Sequence, residues 1–422
     1  MPTADKRTPI AKPWWQPLME PLFWMVFCLL LVIHCIENTS LIYEDLAWMG
    51  IMYKLRNLMY VLLLLKAGFT AVYRPKELWC MLAILPAGIL NVIFSGDFAL
   101  MEFAIVAIAA KDIPPRKLVK VFAVIKAMAV VLTLALAAVK ILPNIVYENG
   151  NNDPYNTYGF CHRNVLGANM AVLCLAWLYL RYKNLSLYDL LLWGGLALVS
   201  NWLAQSRTSL MIIVMAMAVI WLCRHLQQKL LGVSRMKTIL ILFFAALFLI
   251  SFICTVCYKQ EDTFWNLVDK FFSKRLRFAR QCLEVYGFSL FGQDMDFVST
   301  LAAQNNADVK RLILDNSYMR GLLHNGIIPG GLFFVAYCTA LDRAWRRRDV
   351  ALTACMLIMA VYGISERYML DVYYNFPLLA GCMSLFGHPN SHTIRRYRYP
   401  FVYAGEMLAK LRKRRAAGGN AR

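Results

Sequence analysis

"RNVLGANMAVLCLAWLYLR", residues 163–181, decides the class of this chain, because nothing between its two terminal arginines carries a charge. A helix rises about 1.5 Å per residue, so such a run reaches across most of a hydrocarbon core about 30 Å thick. Runs of this kind recur from end to end. Of the 422 residues 60% are hydrophobic and 17% charged, and the mean hydropathy is +0.51. A soluble domain carries about 25% charged residues, so this chain lacks the polar surface to cover itself in water. The expectation is an all-α, polytopic integral membrane protein, one multi-spanning domain over residues 1–422 with about 12 transmembrane helices. The expected spans are 18–36, 55–73, 77–95, 98–110, 118–141, 165–181, 187–203, 208–223, 237–257, 317–341, 350–365 and 369–387.

Lysine and arginine in the connecting loops orient the spans, since cytoplasmic loops carry the excess. One set of ends holds Lys6, Arg7 and Lys12, then Arg74, Lys76, Lys111, Arg116, Lys117, Lys120, Arg181 and Lys183. It continues with Arg224, Lys229, Arg235, Lys237, the block "RAWRRRD" at 343–349 and a basic tail over 388–422. The opposite ends are poor in such charges, apart from Lys54 and Arg56, and include the acidic stretch "ENTSLIYEDLAW" at 37–48. The pattern predicts a multi-pass protein of the plasma (inner) membrane with both termini cytoplasmic and a large extracytoplasmic loop, 258–316. The net charge of +20 is then a topology signal, and nucleic acid is not an expected partner. Twelve cysteines, lying mostly inside the apolar runs, read as apolar filler and not as a disulfide or metal framework. The polar start "MPTADKRTPIAKPWWQP" is not expected to be a cleaved signal.

Arg163 therefore falls on the outer side, where a positive charge is not needed to fix topology. A single arginine at that boundary can simply snorkel to lipid phosphate, but several converge. Arg207 opens the eighth span in "AQSRTSL", and the outer loop holds Arg275, Arg277 and Arg280, the last two on one helix face. The stretch "DNSYMRGLLHNGIIPGG" places Asn316, Arg320 and His324 four residues apart, hence on one stripe of a helix. Glu366, Arg367 and Asp371 follow in "SERYMLDVY". A titratable side chain at this depth faces water, a polar partner or a substrate, because facing lipid costs several kcal/mol. Guanidinium groups bind phosphate bidentately and do so best in a partly dry site, so a lipid-linked pyrophosphate suits the cluster. The competing reading is that these charges pair with one another and only hold helix ends together.

The ordered set of an Arg-Asn turn with a nearby Gly, "SRTSL" opening a span, a long outer loop with R…FG, and D-N-S-Y-x-R-x-L-L-x-x-G-I-I-x-G resembles the bacterial polysaccharide polymerases of the O-antigen polymerase and ligase (Wzy-type) superfamily. "AAKDIPPRKLVKVF" at 109–122 is similar to a cytoplasmic turn of such polymerases. The resemblance covers residues 50–390 and implies a GT-C-like glycosyltransferase without a cofactor. It would transfer a growing glycan from undecaprenyl pyrophosphate to a lipid-linked repeat unit at the outer leaflet, for capsule, exopolysaccharide or O-antigen. Implied partners are the undecaprenyl-pyrophosphate-linked oligosaccharide, membrane lipids, and a flippase and chain-length regulator of the same pathway. The implied phosphate and glycan contacts are Arg163, Arg207 and Arg275, with His162, Asn164, Arg277, Arg280, Asn316, Tyr318 and Arg320 around them. The related ligases place a histidine where this chain has Asp315, which lowers the ligase reading and leaves the general base open among Asp315, His324 and Glu366, in that order.

In such a reaction the leaving pyrophosphate gathers charge as its bond breaks, and prepositioned arginines stabilise that state more than the ground state. Arginine is expected to stand in for a metal, and no metal ligands are assigned. Asp315 has a competing role as a helix N-cap. Lys66 and Lys126, inside expected spans, are expected to snorkel toward the cytoplasm, and Gly326, Gly330 and Gly331 to permit a helix break and close packing. The alternative functions are an O-antigen ligase of the same superfamily and a transporter or flippase of lipid-linked oligosaccharide, which would need many spans and basic contacts as well.

Overall fold

Apolar runs free of charge form helices here because a helix satisfies every backbone N–H and C=O within the segment, which lipid cannot do. The computed structural model describes residues 16–44, 46–70, 73, 75–149, 152–272, 275–298 and 311–383. The expected amino-terminal basic residues, Arg74 and the basic tail 388–422 lie outside them. The described chain is helical save for a two-stranded antiparallel hairpin, β1 (Val146–Asn149) and β2 (Asn152–Asn156).

Eight helices are long and apolar enough to cross a membrane: α1 (Gln16–Glu37), α3 (Pro75–Ser95), α5 (Pro115–Ala138), α6 (Arg163–Arg181), α7 (Leu187–Ala204), α8 (Arg207–His225), α10 (Met236–Cys257) and α14 (Ile327–Arg346). The protein is thus polytopic. The other four expected spans differ in kind. One lies in α2 (Ala47–Thr70), which is long but carries Lys54, Arg56 and Lys66. Two lie in the shorter α4 (Ala99–Ala109) and α15 (Val350–Tyr362), and the last holds a 3₁₀ turn, Arg367–Met369, before α16 (Phe376–Met383). Short α9 (Gln227–Gly232), α11 (Thr263–Phe271), α12 (Arg275–Tyr286) and α13 (Ser317–Leu323) complete the set.

Helix α6 is the axis of the bundle. Of its apolar stretch 78% is buried, against 22% for the strongly apolar α10, whose Leu242, Phe243, Leu249 and Ile250 are exposed. A helix wrapped by protein can carry Asn169 and several alanines, whereas one facing lipid needs bulky aliphatics. Gly167 lets α6 approach α8 closely, since a Cβ there would stand 2.7 Å from Ser209 Oγ. Helices α5, α7 and α8 pack on α6, and α15 packs on α8.

The expected tenth span, 317–341, is not one helix. Helix α13 ends at Leu323, the chain turns through Asn325 and Gly326, and α14 begins at Ile327. Gly326 has φ 92°, a left-handed conformation that glycine adopts without penalty. Its bare Cα also lies against the Gly292 amide, where any Cβ would collide, and Gly330 lies as tightly on Gly321 of α13. The side chain of Asn91 in α3 fastens the crossing, donating to Asn325 O at 2.8 Å and Phe291 O at 3.3 Å.

The two lysines expected to snorkel are buried instead. Lys66 Nζ donates to Ala109 O (2.5 Å) and Lys111 O (3.1 Å) at the carboxyl end of α4, where the helix dipole is negative. Lys126 Nζ donates to Asn169 Oδ1 at 3.0 Å and sits 4.0 Å from the centre of the Tyr374 ring.

Candidate functional site

The 363–375 loop between α15 and α16 carries Glu366 into the bundle end where α6, α8 and α12 start. Arg275, the first residue of α12, donates from Nη2 to Glu366 Oε1 at 2.5 Å, and its Nε lies 3.6 Å from Asp315 Oδ2. The same Oε1 accepts from Thr208 Oγ1 at 3.1 Å and from Asn164 Nδ2 at 3.4 Å. Ser317, at the start of α13, donates its hydroxyl to the Glu366 carbonyl. Four helices and a loop therefore meet on one buried acid. Burial raises the Glu366 carboxyl above its ordinary range, against the pull of Arg275. A buried ion persists only when paired and hydrogen-bonded, and Arg275, Thr208 and Asn164 meet that need. Arg275 Nη1 is buried with no hydrogen-bond partner among the described residues.

His162 caps α6, its Nδ1 accepting the Asn164 amide at 3.1 Å, while the Tyr147 ring of β1 packs edge-on at 5.2 Å. Burial pushes the imidazole down to about 4, with Asp315 pulling it up and the nearby Arg163 charge pushing it further down. It is therefore neutral at pH 7 and serves as an acceptor. Arg163 joins the cluster through these neighbours. The Arg367 side chain is exposed and makes no ion pair or hydrogen bond among the described residues, yet Asp315, Asp371 and His162 all lie within its electrostatic reach. Arg207 is exposed at the first position of α8, and no contact among the described residues joins it to Arg163 or Arg275.

Asp97, in the turn between α3 and α4, builds a second cluster that the sequence reading passed over. Its Oδ2 lies 3.1 Å from Arg320 Nη2 and 3.1 Å from His324 Nδ1, and Oδ1 accepts the Ala99 amide at 2.9 Å. Burial raises the Asp97 carboxyl, but the His324 hydrogen bond and the Arg320 charge outweigh it and hold the group well below the carboxylate range. The Phe297 ring covers both partners, edge-on to His324 at 5.0 Å and 4.9 Å from the Arg320 guanidinium. His324 is thus held in place by a carboxylate on Nδ1 and by packing. Arg56, the topology exception, is paired likewise, 2.8 Å from Glu37 and 3.9 Å from Glu102.

Other expected site residues take different places. Asn316, not Asp315, caps α13: its Oδ1 accepts the Tyr318 and Met319 amides at 2.9 and 3.0 Å. The Asn316 side chain is spent on that cap and does not share a working stripe with Arg320 and His324, while Asp315 turns to Arg275. Tyr318 is a core residue whose hydroxyl donates to Ala360 O at 2.8 Å. Arg280 bonds Glu284 and Val256 O, and Arg277 bonds Asp269 through its backbone amide, so neither reaches Glu366. Asp294 and Asp296 form an Asp-Met-Asp pair exposed on either side of buried Met295, between α12 and α13. It is an acidic motif the sequence reading also passed over. Among the described residues no three His, Cys, Asp or Glu side chains are grouped to hold a metal ion.

Comparison with known proteins returns no match: no family model fits the sequence, and no curated protein or solved structure is similar to the chain. The functional reading rests on the residues themselves.

Proposed function

We propose that the chain is a membrane glycosyltransferase that polymerises lipid-linked oligosaccharide, with Glu366, Arg275 and Asp315 at its working end. The proposal includes twelve passes, both termini in the cytoplasm, an extracytoplasmic 258–316 loop and the inner membrane as location. The observation that carries it is the arrangement around Arg275: a buried guanidinium fixed by Glu366, with the half-buried Asp315 beside it and the exposed, unpaired Arg367 within reach.

In this reading Asp315 is the general base. A hydroxyl of the acceptor sugar attacks the anomeric carbon of the donor and passes its proton to the Asp315 carboxylate. The new C–O bond forms as the bond to pyrophosphate breaks, and the electron pair leaves on the lipid pyrophosphate. Arg275 is neutralised by two carboxylates, so it positions Asp315, while Arg367 and Arg163 meet the developing negative charge. This moves the phosphate contact from the expected set of Arg163, Arg207 and Arg275 toward the 363–375 loop. The surface polysaccharide of a strain lacking the gene tests the reading by size: single repeat units persist and long chains vanish if the chain is a polymerase.

The helix break at Gly326 favours one competitor, a transporter of the same lipid-linked oligosaccharide, because interrupted helices line many transport sites. Loss of the transporter would remove single units and long chains alike from the surface.

A further inference from the structure

About 28 Å along α6 from Glu366, at about 1.5 Å per residue, the opposite end of the bundle holds a cavity of about 590 Å³. Five cations line it, Arg116, Lys183, Arg224, Arg347 and Arg348, against one carboxylate, Asp349. They come from four separate places in the chain: the start of α5, the turn after α6, the last turn of α8 and the turn after α14. Scattered basic residues at one membrane face would set topology equally well without sharing a cavity.

The backbone adds to the same field. Helix α5 begins at the cavity with Pro115, and α15 begins there with Val350, so two helix amino termini present partial positive charge. Asp349 is already engaged, accepting the Leu352 amide at 3.0 Å and the Tyr179 hydroxyl at 3.5 Å. Arg116 is braced by its bond to Leu180 O at 2.6 Å and by the Tyr179 ring. Arg348 sits in the left-handed region, φ 59°, at a helix end where glycine is the usual residue. The side chains of Lys183 and Arg224 make no ion pair or hydrogen bond among the described residues.

We infer that this cavity is a binding site for a phosphate-bearing anion carrying at least two negative charges, seated among Arg116, Lys183, Arg224, Arg347 and Arg348. Basic pockets between helices at the lipid boundary bind phosphate head groups, each lysine or arginine adding to the attraction. Two sources share this chemistry, an anionic diphosphate lipid and a soluble pyrophosphate compound. They differ only in whether acyl chains contribute.

The test uses the full-length protein purified in a neutral detergent, with cardiolipin, phosphatidylcholine and inorganic pyrophosphate as probes. Binding is read by native mass spectrometry and by the shift in melting temperature. Cardiolipin is expected to bind at least tenfold more tightly than phosphatidylcholine. The double variant Lys183→Gln/Arg224→Gln should lose about tenfold, and Lys229→Gln, exposed nearby but outside the cavity, should lose nothing. Pyrophosphate binding as strongly as cardiolipin would identify a soluble ligand, and cardiolipin alone a lipid. Equal binding of cardiolipin and phosphatidylcholine with no pyrophosphate response overturns the site. So does an equal loss in Lys229→Gln, which would mean general surface charge. If the double variant elutes as an aggregate, Lys183→Gln alone carries the test, and an unchanged affinity in that folded variant overturns the site.

Discussion

Arg275 and Glu366 stand 91 positions apart in the chain and 2.5 Å apart in space. Helix α12 is thereby fixed to the turn between α15 and α16. Removing one partner of a buried pair costs about 3–5 kcal/mol, because the other charge is left unpaired, whereas apolar replacement of both is much milder. Glu366→Gln and Arg275→Met are each expected to lower the melting temperature sharply in detergent, and Arg275→Met/Glu366→Leu to recover a large part of it. A double variant as unstable as the sum of the two singles would mean that the pair is not coupled.

Asp315 and its neighbour Asn316 divide two tasks, and substitution tells them apart. Asp315→Asn removes the carboxylate from Arg275 but leaves the α13 cap untouched, so the protein should accumulate normally and make no long polysaccharide. Asn316→Ala removes the cap and should cost about 1 kcal/mol of stability. Full-length polymer from Asp315→Asn would eliminate this carboxylate as the base.

The Gly326 turn tolerates no side chain. Gly326→Ala meets both the Gly292 backbone and a φ of 92°, and a loss of several kcal/mol is expected. Gly331→Ala, in open space on α14, should fold like the parent and gain slightly from helix propensity. Comparing the two melting curves checks both statements at once.

His162 makes stability depend on pH in a defined window. Its folded pKa, about 4, lies below the unfolded value of about 6.5. Between these values the unfolded chain binds the extra proton, so stability present at pH 7 is lost as pH falls from about 6.5 toward 4 and levels off below. On the order of 3 kcal/mol is expected. His162→Asn keeps an acceptor for the Asn164 amide and should flatten that part of the stability profile. An unchanged profile would place the titration elsewhere.

Orientation is open to a direct chemical probe. Glu261, exposed just before α11, is expected outside the cell. Glu261→Cys, in a background without reactive native cysteines, should react with an impermeant thiol reagent in intact cells. Labelling confined to lysed cells would invert the whole arrangement.

Apolar length was enough to find eight spans, because lipid imposes a simple rule on any helix it surrounds. The glycines at 326, 330 and 331 marked a helix break, which the structure places at Asn325–Gly326. Apolar length alone ran 317–341 together as one span, and the close approach of Gly326 to Gly292, 34 positions earlier, left no mark in local sequence. Nor could apolar length place Lys66 and Lys126: their partners, two backbone carbonyls for Lys66 and the Asn169 amide and Tyr374 ring for Lys126, come from other parts of the fold and leave no mark in local sequence. The residues of the Arg275 cluster stood out as charges at span ends. Asp97 did not, being a lone acid in a short turn, although a single carboxylate between two apolar runs is itself a sign of a buried partner. Which of Asp315 and Asn316 caps α13 is not legible in sequence, because both residue types cap helices well.

The Asn91 fastening bears on how the chain is made. Asn91 enters the bilayer with α3, while Phe291 and Asn325, whose carbonyls it will serve, follow 200 and 234 residues later. At about 5–20 residues per second of synthesis, the amide waits roughly 10–50 s for them. Ser95, one turn along and 3.0 Å away, is the partner it can use at once. Biogenesis of this protein therefore has a stage in which α3 is in the membrane before its permanent neighbours exist, with a serine holding the place that the last third of the polypeptide will take.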